Sequence, residues 1–130
     1  MNLSLIWQGD LKFSAGPGGP PIELDSAAPG VVSPMQTLGY AVMACMAMDV
    51  VHMLQKGRHD LQELSVVLDA ERAPESPRRL TAISLRFDIR GGVSGDAVEH
   101  AIELSRTKYC SAWNSLRQDI QLSATYAIRA

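Results

Sequence analysis

The chain has 130 residues, a length that fits one domain and is large enough to bury a real core. It is 46% hydrophobic and 20% charged, which reads as globular rather than disordered. Its net charge of -2 supplies none of the basic excess that a nucleic-acid surface needs, and the arginines between Arg72 and Arg90 alternate with Glu75 and Asp88 as on a solvated face.

The N-terminal stretch is loosely patterned. Leu3 to Trp7 reads as a strand, Gly9-Asp10 as a turn and Leu11 to Ser14 as a returning strand. Gly16 to Pro21 holds only glycine and proline and is a loop. Its glycines are followed by no helix, so they are not a phosphate-binding turn. Ile22 to Leu24 is a third short strand, and Ala28-Pro29-Gly30 is a loop. The first basic residue is Lys12, so no charged leader stands ahead of an apolar run, and the expected address is cytoplasmic.

The clearest signal comes next in the chain. Ser33, Pro34 and Gln36 form a capping box with proline at the first helical position. The helix they start is apolar nearly all round, from Met35 through Leu54. Lys56 suits the negative end of its dipole, and Gly57 is placed at C′. Its length matches a bilayer, but Gln36, Asp49 and His52 are each costly in lipid, so a core helix is expected and no membrane contact. One small chain has few elements to cover such a helix on every side, which points to a second copy.

Beyond it, Leu64 to Leu68 reads as a strand that continues toward Ala73. Ile83, Leu85, Phe87 and Ile89 alternate with polar residues as a half-buried strand, ended by Gly91-Gly92. Ser94 caps a second helix, whose stripe is Ala97, Val98, Ala101, Ile102 and Leu104. A break near Lys108 leads to a third helix starting around Cys110, and Ile120 to Ile128 is the last strand. The order is that of an α+β fold in a single domain, residues 1–130.

Two cysteines carry the chemistry. Without a nearby histidine pair they make a poor zinc site, and no metal or cofactor is expected. Cys45 lies mid-helix on one face with Val42, Asp49 and His52. It is either a small buried apolar residue or a nucleophile whose thiolate is stabilised by a neighbour. His52 stands two turns away, too far for a direct Cys–His pair, and Asp49 and His52 are given structural or interface roles. Cys110, at a helix start beside Lys108, is either filler or a thiol whose pKa the dipole and the lysine lower. A peroxide-reducing thiol gains from a partner that resolves its sulfenic acid, but the spacing alone does not bring these two together.

The runs Ser33-Pro34-Met35-Gln36, Ala44-Cys45, Met48-Asp49-Val50-Val51 and Leu54-Gln55-Lys56-Gly57-Arg58 resemble the core helix of OsmC/Ohr proteins. Asp69-Ala70-Glu71-Arg72, Ala97-Val98 through Glu103-Leu104-Ser105, and Lys108-Tyr109-Cys110-Ser111 come after them in the same order. The resemblance implies antiparallel sheets around a long central helix in an intertwined homodimer. It implies a peroxidatic Cys45, a resolving Cys110, organic hydroperoxides as substrates and a dithiol, such as a lipoyl group, as reductant. Two features depart from the pattern. The family's N-terminal arginine is missing, since the first arginine is Arg58, and Gln36 stands where its glutamate partner is common. Two functions are therefore expected in competition: a two-cysteine peroxidase, or a protein on the same scaffold that binds an apolar ligand or senses redox state.

Overall fold

The computed structural model describes residues 1–130, which pack as two compact units, Met1–Tyr40 and Ala41–Ala130.

In the first unit, β1 (Leu5–Trp7), β2 (Phe13–Ala15) and β3 (Glu23–Leu24) form an antiparallel meander in the order β1-β2-β3. Trp7 lies opposite Phe13, and Phe13 opposite Leu24. The β1–β2 turn is wider than expected. Gly9 and Asp10 both take positive φ (106° and 45°), and the Gln8 amide donates to the Lys12 carbonyl, so Leu11 belongs to the turn. Every residue of β1 is exposed, with Trp7 at 63%. Asp25 is the buried carboxylate of this unit, and its Oδ1 accepts the amides of Ala27 and Ala28.

Helix α1 (Pro34–Lys56) begins as the sequence predicts. The Gln36 amide donates to Ser33 Oγ at 3.1 Å, and the Ser33 amide donates to Gln36 Oε1 at 3.0 Å, the reciprocal pair of a capping box. Its other end departs from expectation. Gly57 still makes a helical bond to the Met53 carbonyl, so the left-handed residue is the next one, Arg58, with φ 61°. The Arg58 amide then donates to Gln55 and the His59 amide to Leu54, a Schellman closure one residue later than predicted.

The second unit holds the sheet β4-β5-β6: β4 (Asp60–Arg72), β5 (Leu80–Gly92) and β6 (Gln121–Arg129). β4 and β5 form a long antiparallel hairpin, whereas β5 and β6 run parallel. The sheet is therefore mixed and not antiparallel as expected. Between β5 and β6 the chain passes through α2 (Gly95–Leu104), a π-turn (Ser105–Tyr109) and α3 (Ser111–Asn114). A crossover of that length brings the strand back in its original direction.

β5 also runs through Gly91-Gly92 instead of ending before them. Gly91 has φ 137°, and a Cβ there would run into the Asp60 carbonyl across the hairpin. Only glycine permits this pairing. Gly91→Ala is expected to cost about 2 kcal/mol or more, from left-handed strain plus displaced backbone. A denaturant titration reads it, and an unshifted midpoint would contradict it.

The core consists of the α1 stripe Val42, Met46, Val50 and Leu54, the alternating Ile83, Leu85, Phe87 and Ile89 of β5, and Val98, Ala101 and Ile102 of α2, with Trp113 and Leu122. The α1 stripe has a spacing of four, so only one line of an almost wholly apolar helix is enclosed. Met48, on another face, is 68% exposed. The helix is long and apolar enough to cross a membrane, but here its stripe is part of the core of this fold.

Candidate thiol site

Cys45 sits one residue before the fully buried Met46 and is itself half-buried. Cys110 is fully buried at the hinge between the π-turn and α3. That hinge is strongly held. The Cys110 amide donates to the Ser105 carbonyl at 2.8 Å, closing the π-turn. Its carbonyl accepts from the Asn114 amide at 3.0 Å and from Asn114 Nδ2 at 2.9 Å. Its Sγ caps α3 by accepting the Trp113 amide at 3.3 Å.

Both thiols are free, and Cys45 lies near enough to Cys110 to push the pKa of its thiol up. Asp49, one turn beyond Cys45, belongs to the same cluster. Its Oδ2 accepts from Ser105 Oγ at 2.8 Å, and its negative charge is felt at Cys110. His52 is exposed, so a Cys–His arrangement is absent here.

The electrostatics of Cys110 run opposite to the expectation of a lowered pKa. Burial pushes its thiol up to about 11, the Trp113 amide works against this, and Cys45 and Asp49 add to the rise. A one-turn helix offers little dipole, and desolvation penalises the thiolate. Lys108 does not compensate, because its ammonium lies 5.2 Å from the ring centroid of the exposed Tyr109.

Ser105 is the member of this cluster that sequence reasoning missed as a site residue. It is fully buried and lies 56 residues from Asp49. The spacing of four between Cys45 and Asp49, which puts a carboxylate on the thiol's face, was the available signal.

A cavity of about 560 Å³ opens within the second unit. Met46, Ile102, Leu122 and Ala124 give it an apolar side, and Glu99, Glu103, Arg106 and Tyr126 a polar one. Tyr126 is fixed there by donating to Glu99 Oε1 at 2.7 Å. In the first unit, a cleft of about 520 Å³ is lined by Asp25, Val32, Gln36 and Tyr40 among others. Gln36 brings no charge to it, and its amide oxygen is engaged in the capping box.

Residues 27–125 match the family model for OsmC-like proteins. The chain belongs to the OsmC-like family. Protein YhfA of Escherichia coli strain K12 is 40% identical over 99 residues, which are 75% of this chain and 74% of that protein. Among solved structures, a hypothetical protein from Aquifex aeolicus VF5 is similar with a TM-score of 0.89 and 23% identity, over 98% of this chain and 95% of that one. An organic hydroperoxide resistance protein OsmC from Legionella pneumophila is similar with a TM-score of 0.73 and 14% identity, over 98% and 97%. At these identities the structures establish the OsmC-like α+β fold, with its two three-stranded sheets and long helix.

Proposed function

We propose that this OsmC-like chain is a thiol peroxidase acting on organic hydroperoxides, with Cys45 as the peroxidatic and Cys110 as the resolving cysteine. The observation that carries the reading is a pair of free thiols, one on α1 and one at the end of the π-turn, near enough for Cys45 to affect the proton on Cys110. The Cys45 thiolate attacks the terminal peroxide oxygen, the O–O bond breaks, and the alcohol leaves with a proton. Cys45 is left as a sulfenic acid. Cys110 sulfur then attacks Cys45 sulfur, the S–O bond breaks, and water departs. An external dithiol, a lipoyl group being one candidate, takes up the oxidation by exchange and restores both thiols. The cavity beside Met46 has the apolar wall that a greasy hydroperoxide needs and lies one residue along α1 from Cys45, which is not itself in its lining. The fold it shares with proteins named for organic hydroperoxide resistance supports the same reading.

The working unit is a homodimer in the cytoplasm. A chain that encloses one line of α1 and leaves β1 wholly exposed has apolar surface for a second copy to cover.

A second reading, a ligand-binding or redox-sensing protein with little turnover, draws on other observations. No arginine precedes Arg58, Gln36 is neutral, and the Asp49 carboxylate opposes a thiolate at Cys110. The experiment that decides is direct. Reduced protein receives one equivalent of an organic hydroperoxide, peroxide loss is followed over seconds, and free thiols are counted. Rapid loss of peroxide and of both thiols is expected, abolished by Cys45→Ser and slower with hydrogen peroxide. Peroxide that survives beside intact thiols would retire the peroxidase in favour of the binding protein.

A further inference from the structure

We infer that the Asp49 carboxylate and the Ser105 hydroxyl form a clamp that presents Cys110 to Cys45, making both of them positioning residues for disulfide closure. The inference rests on the two-cysteine reading and adds to it the polar pair that sets the geometry.

The clamp starts on α1. Asp49 follows Cys45 by four residues and so shares its face of the helix. A carboxylate in an apolar helix is costly unless it is bonded, and its Oδ2 accepts from Ser105 Oγ at 2.8 Å. Ser105 in turn is fully buried and opens the π-turn. The carbonyl of the same residue accepts the Cys110 amide at 2.8 Å. The path from Asp49 to the Cys110 backbone is therefore two hydrogen bonds through a single residue. Each end of this path adjoins a thiol: Asp49 stands one turn from Cys45, and Cys110 is the residue the π-turn delivers. π-turns insert an extra residue and shift the register of the chain beyond them, which is how Cys110 leaves the helix with its extended φ/ψ of −73°/100°. The side-chain bond ties that shifted segment to α1.

The Asp49 charge has a second effect. It acts on Cys110 in the direction that keeps the proton on sulfur. The clamp thus ties Cys110 to α1 while the Asp49 charge favours its protonated form.

The test equilibrates the full-length protein with mixtures of reduced and oxidised dithiothreitol and counts the Cys45–Cys110 disulfide by mass after alkylation. In this exchange two electrons and two protons pass from the two thiols to the cyclic disulfide, and no peroxide is involved. Ser105→Ala and Asp49→Ala are each expected to shift the equilibrium toward the dithiol by about tenfold, because the loosened segment gains freedom in the dithiol that the disulfide denies it and the effective concentration of one thiol at the other falls. Asp49→Asn keeps an acceptor for the Ser105 hydroxyl and should lose less. The double variant Ser105→Ala/Asp49→Ala should be no worse than either single change, because both remove one interaction. Thr107→Ala removes a hydroxyl bonded to the Glu103 carbonyl within the same segment and should leave the equilibrium unchanged. If Ser105→Ala does not fold, the two Asp49 variants decide on their own, since Asp49 is only half-buried. Folded variants that close as readily as the parent, or losses that add in the double variant, overturn the clamp alone. A parent chain that forms no disulfide overturns the clamp together with the resolving role of Cys110.

Discussion

A Cys110→Ser chain is expected to stop cycling once Cys45 is oxidised, its turnover with a dithiol reductant falling by about 100-fold or more. The magnitude comes from the resolving role proposed for Cys110. In that role the thiol attacks the sulfenic acid as an intramolecular partner, and an external thiol must replace that proximity by concentration. Without the partner, Cys45 persists as sulfenic acid and a second equivalent of peroxide carries it to sulfinic acid. Mass spectrometry after two equivalents should show a gain of two oxygens on Cys45, where the parent chain shows a loss of two hydrogens. The substitution tests chemistry rather than folding, because serine is itself a good N-cap and its oxygen accepts the Trp113 amide in place of Sγ. Were Cys110 only filler in the core, this variant would lose a little stability and no turnover.

The parts of the fold legible in the sequence are those fixed within a few residues. The Ser33–Gln36 capping box is a contact between positions three apart, and it appears as read. The alternation of Ile83, Leu85, Phe87 and Ile89 likewise appears as one buried face of β5. The stop at Gly57 fails by one residue, since glycine permits a left-handed conformation without demanding it and Arg58 adopts it instead. The direction of β6 depends on the crossover through α2, the π-turn and α3, which no strand pattern encodes. At the site, the cysteines were visible as residue types, while the environment of Cys110 was not. Local sequence offered a helix start and a lysine, and desolvation overrode both. The Asp49–Ser105 bond joins segments that only the tertiary fold brings together.

The rise of the Cys110 pKa makes the second large prediction, the pH dependence of disulfide closure. Only the thiolate attacks sulfur. With the thiol pushed up to about 11, the reactive fraction grows about tenfold per pH unit through neutral and mildly alkaline solution. Closure after one equivalent of hydroperoxide should therefore be about 100-fold faster at pH 9 than at pH 7, with no plateau between. An ordinary thiol, ionising near 8.5, would bend over in that window and gain only about 25-fold. Quenching with acid and counting disulfide by mass distinguishes a straight line from a curve. Most of this window lies below the range in which the same group acts on the fold, which opens near the ordinary thiol value of about 8.5. The native state keeps the Cys110 proton after the unfolded chain has released its own, so in that interval the folded form binds more protons. Its contribution to stability is complete below the ordinary thiol value and is lost as pH rises toward about 11. A rate that levels off by pH 8.5, in a protein whose melting temperature has not moved, would mean that oxidation of Cys45 lowers the barrier to ionising its partner and that burial no longer governs the thiol at the moment of attack.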